Sequence, residues 1–192
     1  MTTQMSSVLP LQMSDEEFLD LCRRLEPMDV EITKEGTIRM MMAAGNDSSS
    51  ANADIIAQLV AWQKTHRRGR VYDSDTRFTL PDGSKLGPDA AYITNERLAE
   101  APPGFIFGRV CPNFVIELLS ASDSLPKMVD KMHDWITNGC EVAWLIDPYT
   151  RTTHIFGERT YITTESYLHG SGPVAGFNLD LIDVWDLFTG SH

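Results

Sequence analysis

Asn113 to Pro148 reads NFVIELLSASDSLPKMVDKMHDWITNGCEVAWLIDP, and its periodicity changes twice. Phe114 to Leu119 is a short, evenly apolar run bounded by Pro112 and a Ser-rich turn, which predicts a strand buried on both faces. A single charge, Glu117, interrupts it. From Ser124 the apolar residues Leu125, Met128, Val129, Met132, Trp135 and Ile136 recur at three and four residues, the spacing of a helix with one buried face. Pro126 suits the first turn of that helix, Asn138-Gly139 its left-handed stop. Val142 to Ile146 is a second apolar run, ended by Asp147-Pro148. Two strands joined by one helix are predicted to lie parallel and adjacent, with a right-handed crossover.

Working outward, Ser14 and Glu17 have capping-box spacing ahead of the stripe Phe18, Leu21, Cys22, Leu25, which predicts a helix from Asp15 to about Leu25, closed by Pro27. Residues 1 to about 13 carry no periodic pattern and are expected to form a mobile tail before one domain spanning 14–192. Val30 to Thr33 and Thr37 to Met42 predict a hairpin around Lys-Glu-Gly, with Glu31 in its first arm. The small, polar stretch Ala44 to Ser50 leads into a predicted helix from about Ser50 to His66, stopped by Gly69. Tyr72 to Leu80 and Ala90 to Ile93 are predicted strands of a second hairpin. Ala101-Pro-Pro-Gly104 reads as a loop. His154 to Phe156 and Tyr161 to Thr164 predict an edge hairpin, and Phe177 to Trp185 a closing segment, strand or short helix.

The chain has 192 residues, 42% hydrophobic and 22% charged, values of a globular protein with a sizeable core. No stretch approaches the roughly 18 apolar residues of a membrane span and no basic leader precedes an apolar run, so a soluble, cytoplasmic protein is expected. Cys22, Cys111 and Cys140 lack C-x-x-C spacing and are expected to be buried thiols. A formal net charge of −11 argues against a sequence-blind grip on nucleic acid. The one basic cluster runs from Lys64 to Arg70, where Arg67, Arg68 and Arg70 are candidate phosphate contacts. The same residues also read as a solvated helix end favoured by the dipole. Trp62, Trp135, Trp144 and Trp185 fall on apolar faces and are assigned to packing. His66, His133 and His154 have no mutual metal spacing, and no nucleophile-elbow, Walker or dinucleotide motif is present.

Three acids stand where solubility does not require them: Glu31 in a strand, Asp89 behind Gly87-Pro88, and Glu117 in the most apolar strand. A buried carboxylate needs a partner, because leaving it unpaired costs several kcal/mol. A divalent cation is one candidate, since magnesium is commonly held by one or two carboxylates plus water and phosphate oxygens. A Lys or Arg is another. On a helical wheel Lys131 lies just off the apolar stripe, within reach of the preceding strand, while Lys127 lies nearer solvent. A lysine beside metal-binding carboxylates can hold a water or stabilise charge on a phosphate; in isolation such a residue more often snorkels.

Gly87-Pro-Asp-Ala-Ala, Phe114-Val-Ile-Glu-Leu-Leu-Ser-Ala-Ser-Asp-Ser, Asp130-Lys-Met and Glu141-Val-Ala-Trp-Leu-Ile-Asp-Pro together resemble the Uma-type restriction endonuclease family, a branch of the PD-(D/E)XK nucleases, from about Ser14 to Trp185. The resemblance implies an α/β (α+β) restriction-endonuclease-like fold, a mixed sheet flanked by helices. It implies that Asp89 and Glu117 bind magnesium, or manganese in its place. The superfamily lysine two residues after the second acid is absent, since that position is Leu119, and its place in the family matches Lys131 on the following helix. The amino-terminal acid matches Glu31, although Thr37 stands where relatives commonly carry a second Glu, and Ser120-Ala-Ser122 stands for their Ser-Pro-Ser. The expected function is a magnesium-dependent endonuclease acting on DNA as a homodimer. The rival is an inactive module of the same fold that works through protein partners or its own dimer.

Overall fold

The computed structural model describes residues 13–41, 45–101 and 108–188. In chain order the elements are α1 (Asp15–Leu25), β1 (Asp29–Ile32), β2 (Ile38–Met41), α2 (Asn46–His66), β3 (Gly69–Tyr72), β4 (Phe78–Thr79), β5 (Lys85–Leu86), β6 (Ala90–Thr94), α3 (Asn95–Glu100), β7 (Phe114–Leu118), α4 (Leu125–Thr137), β8 (Val142–Asp147), β9 (Thr152–Phe156), β10 (Tyr161–Thr163), β11 (Tyr167–His169), β12 (Asn178–Asp180) and α5 (Ile182–Leu187). The expected amino-terminal tail lies outside the described residues but for Met13. So do Met42 of the predicted hairpin, Ala44 of the polar connection and most of the loop after Ala101.

The fold is mixed α and β. A six-stranded sheet has the order β10-β9-β8-β7-β6-β3, a four-stranded sheet β2-β1-β5-β4, and β11 pairs with β12. The strand–helix–strand unit is present as its periodicity predicts: β7 and β8 are parallel and adjacent, with Phe114 opposite Val142 through to Leu118 opposite Ile146. Both faces of this central pair are covered, which is why its residues read as continuous apolar runs. The face bearing Tyr92, Phe114, Ile116, Trp144 and Ile146 packs on α2 and the carboxy-terminal elements. The opposite face, bearing Val115, Ala143 and Leu145, packs on Met132 and Trp135 of α4. Residues alternate across a strand, so Glu117 shares its face with Val115 and points to α4.

The amino-terminal helix is capped as expected, with Ser14 Oγ accepting from Glu17 N and Glu17 reaching back to Ser14 N. Its first residue, Asp15, forms a buried ion pair with Lys85 of β5. Burial pushes the Asp15 pKa up, but the Lys85 hydrogen bond and charge, together with Arg109 and Thr79, outweigh it and hold the group below the usual aspartate value. Asp15→Asn is expected to lower stability by about 1–3 kcal/mol near neutral pH, because Lys85 Nζ keeps Thr79 Oγ1 but loses its carboxylate partner. A depressed carboxyl pKa contributes stability that is present above the unfolded value and lost as pH falls through the folded one. The gap between the two proteins in thermal melts is therefore expected to close on acidification below about pH 4. A gap independent of pH would show that the ion pair is not its source.

Several predicted boundaries are corrected. Tyr72 to Leu80 is not one strand: the polar run Asp73 to Thr76 turns, with Thr76 N donating to Asp73 O, and sends Phe78–Thr79 into the other sheet. The expected second hairpin thus divides into β3 antiparallel to β6 and β4 antiparallel to β5. Helix α2 starts at Asn46 rather than Ser50, with Gly45 as an N-cap that offers no side chain. Arg67, in the left-handed region at φ 51°, ends it. Gly69 instead opens β3, where a Cβ would overlap the Ile93 carbonyl and the Tyr92 ring. The closing segment is both strand and helix, β12 then α5, and α3 and β11 are too short to leave a periodic signal.

Candidate active site

Helix α4, strands β1 and β7 and the turn after β5 converge on one buried ammonium. Lys131 of α4 is 3% exposed, and its Nζ lies 2.8 Å from Glu31 Oε1, 2.9 Å from Glu117 Oε1 and 2.8 Å from the Gly87 carbonyl oxygen. Glu31 is delivered by β1, which adjoins β5 through Ile32 opposite Lys85. It also accepts a hydrogen bond from Gly87 N at 3.0 Å, so both backbone groups of Gly87 serve the cluster. A side chain at Gly87 has no room, since its Cβ would overlap the Arg77 guanidinium. Arg77 is itself buried and tied to Val30 O, Ser74 O, Thr76 O and the Asp29 carboxylate.

Glu117 has a further donor. Trp135 Nε1 donates to its Oε1 at 3.0 Å, one helical turn beyond Lys131 on the same face. The sequence reading placed Trp135 in the core, where it is, but missed this bond. The available signal was that a buried indole needs an acceptor and that Glu117 is the lone acid on the strand it packs against. Asp89, on the turn entering β6, is half-buried, and its Oδ2 accepts from Leu118 N at 2.7 Å. Lys127 is exposed and stands outside the cluster.

Two carboxylates therefore share one ammonium, with a third, Asp89, within reach of its charge. Burial raises the pKa of Glu117 to about 8 against the pull of Lys131, with Asp89 and Glu31 pushing the same way. Burial likewise raises Asp89, opposed by the Leu118 N–H and Lys131. For Lys131 burial acts downward, yet the charges of Glu117 and Glu31 carry it above the ordinary lysine value, so it stays charged. Such a cluster lacks positive charge.

Asp89, Glu117 and Lys131 form part of the wall of a cleft of about 1030 Å³; Glu31 sits behind them, outside the lining. The first turn of α2, the Ser120–Asp123 turn and Tyr149 complete the opening. Among the described residues no three His, Cys, Asp or Glu side chains are grouped so as to hold a metal by themselves. The donors present, two cleft-facing carboxylates short of a counter-charge, suit a hard cation that keeps waters and takes further oxygens from a phosphate rather than one needing a full protein cage.

Arg67, Arg68 and Arg70 are exposed but are not brought to the cleft. Arg70 pairs with Ile93 and Gly69 with Thr94, at the end of β6 away from Asp89, on the order of 13 Å along the strand. Cys111 and Cys140 are buried free thiols as expected, Cys22 only half-buried. Among the described residues no helix is long and apolar enough to cross a membrane.

Residues 15–180 match the family model described as "Putative restriction endonuclease". The chain belongs to that restriction endonuclease family. A solved structure titled as a putative nuclease of the DUF820 family, from Anabaena variabilis ATCC 29413, superposes with a TM-score of 0.71 at 21% identity, covering 92% of this chain and 99% of that one. It shares the fold. A DrdV–DNA complex overlaps at a TM-score of only 0.33 and 12% identity, over 74% of this chain and 13% of that one. No curated protein matches. Membership of the restriction endonuclease family supports a nuclease.

Proposed function

We propose that the chain is a divalent-metal-dependent endonuclease of the cytoplasm that hydrolyses phosphodiester bonds of DNA. What carries this reading is the Lys131 ammonium held between Glu31 and Glu117 beneath a cleft that Asp89 also lines, in a chain of this family. Asp89 and Glu117 would hold magnesium or manganese, which when bound supplies Lewis-acid charge to a phosphate oxygen. Lys131 orients a water or steadies charge developing on the phosphate, and Glu31 with the Gly87 carbonyl fixes its direction. All three Nζ donors are engaged. Lys131 can serve substrate only by exchanging one bond, and the bond to Glu117 is the exchangeable one because Glu117 faces the cleft whereas Glu31 does not.

The deciding experiment is incubation of supercoiled plasmid and oligonucleotide DNA with the full chain in magnesium or manganese, against the same protein in chelator. Metal-dependent nicking or linearisation is expected, and identical intact DNA in all lanes would overturn the proposal. A second reading, an inactive module acting through protein partners or its own dimer, is favoured by one observation: Glu117 is already fully engaged by Lys131 and Trp135, as in a closed structural ion pair. Intact DNA together with a stable dimer would select it.

We propose the basic end of α2 as a secondary, sequence-independent phosphate contact. Arg67→Glu with Arg68→Glu is expected to weaken DNA binding at low salt and flatten its salt dependence, while the rate of the saturated complex is unchanged because the pair is remote from the cleft. Equal salt slopes for parent and variant would leave these arginines as a solvated helix end.

A further inference from the structure

Resting on the nuclease reading above, we infer that the cleft takes an unpaired nucleotide of a DNA strand, its base stacked against Tyr149, in preference to intact duplex. Among the described residues the lining carries Asp29, Asp47, Asp89, Glu117 and Asp123 against only Arg77 and Lys131. Both cations are committed: Arg77 holds Asp29 and three carbonyls, and Lys131 holds two carboxylates and a carbonyl. A duplex is gripped through its phosphates by free Lys and Arg. This cleft offers no such grip, and the exposed basic residues stand at the other end of β6.

What the cleft offers instead is aromatic and apolar surface from Tyr149, Leu187, Phe188 and Met128. Tyr149 is 49% exposed, a large uncharged ring open to the cleft. It is also fixed. Asp147 Oδ1 accepts from Tyr149 N at 3.0 Å and Thr150 N at 3.2 Å, and the ring meets Phe188 edge-on with centroids 5.3 Å apart. The turn that carries it leaves the carboxy-terminal end of β8, which runs parallel to and beside β7, so ring and Glu117 lie at the same end of the sheet. A held, half-exposed ring lining the same cleft as Glu117 is a stacking platform, and stacking holds a base without net charge. Bases in a duplex are already stacked on each other, so only an unpaired one presents its face.

The test uses the full chain in chelator, so that no strand is cut, with a short labelled single strand and the duplex of the same sequence, followed by fluorescence anisotropy. The single strand is expected to bind on the order of tenfold more tightly than the duplex, and Tyr149→Ala to weaken single-strand binding on the order of tenfold. Tyr149→Phe retains the ring and is expected to bind like the parent. Duplex binding equal to single-strand binding, loss in Tyr149→Phe equal to that in Tyr149→Ala, or no loss in either overturns the inference, as does a parent that binds neither DNA. The nuclease reading fails separately: a single strand bound through Tyr149 yet uncut in magnesium or manganese leaves the inference standing, whereas cleavage of duplex in preference to single strand leaves only the nuclease.

Discussion

Lys131→Ala is expected to lower the rate of DNA cleavage by a factor on the order of 10² or more, the scale of losing one charge-stabilising or proton-transferring group. DNA affinity is expected to change much less. Because Nζ is the shared partner of Glu31 and Glu117, the substitution also leaves two buried carboxylates without a cation. Breaking such a pair costs about 3–5 kcal/mol, partly recovered where a carboxyl takes up a proton. Rates are therefore compared well below the melting temperature of the variant. Lys131→Arg is expected to remain inactive, since a planar fork cannot fill a pocket built for a compact ammonium with three donors. Lys127→Ala is the control: it is exposed, makes no contact with the cluster, and is expected to cleave like the parent. Damage from Lys127→Ala with a silent Lys131→Ala would place the working lysine one turn earlier and refute the arrangement proposed here.

The second large effect concerns the two cleft-facing acids. A divalent ion is expected to support cleavage and raise the melting temperature of the parent, and Asp89→Asn and Glu117→Gln are each expected to abolish both effects. A ligand at a hundredfold its Kd stabilises by about 2.7 kcal/mol, which a thermal melt resolves readily. The amides are the informative variants because the carboxylates also hold the fold. Asp89 Oδ2 accepts from Leu118 N, and Glu117 accepts from Trp135 Nε1, so alanine at either site orphans a donor. Such a group costs about 1–3 kcal/mol when buried. An equal metal-induced shift in parent and both amide variants would place metal binding elsewhere.

From the chain alone, the parallel pair β7 and β8 and the helix between them were legible, because burial on both sheet faces and on one helix face writes two different periodicities into Phe114 to Ile146. Glu31 and Glu117 were legible as misplaced charges for the same reason, since an acid in a strand bound for the core must have a partner, and Asp89 stood out as an acid behind Gly87-Pro88. What the sequence could not decide is who that partner is. Lys131 lay off the apolar stripe, and only the packing of α4 against β7 shows it buried, with Glu31 reaching it from a separate sheet.

The strand boundaries around Asp73 to Thr76 failed because short strands carry too few residues for alternation to register, and their partners are chosen by which sheet has an open neighbour. Arg67 to Arg70 stood out because charge clusters are visible in sequence, whereas their distance from the cleft is set by the β3–β6 register and only the tertiary structure gives it. Trp135 shows the division most clearly. Its apolar spacing determined that it is buried, but only the tertiary structure sets its one polar atom against Glu117, because a hydrogen bond depends on an approach between two elements that neither encodes alone.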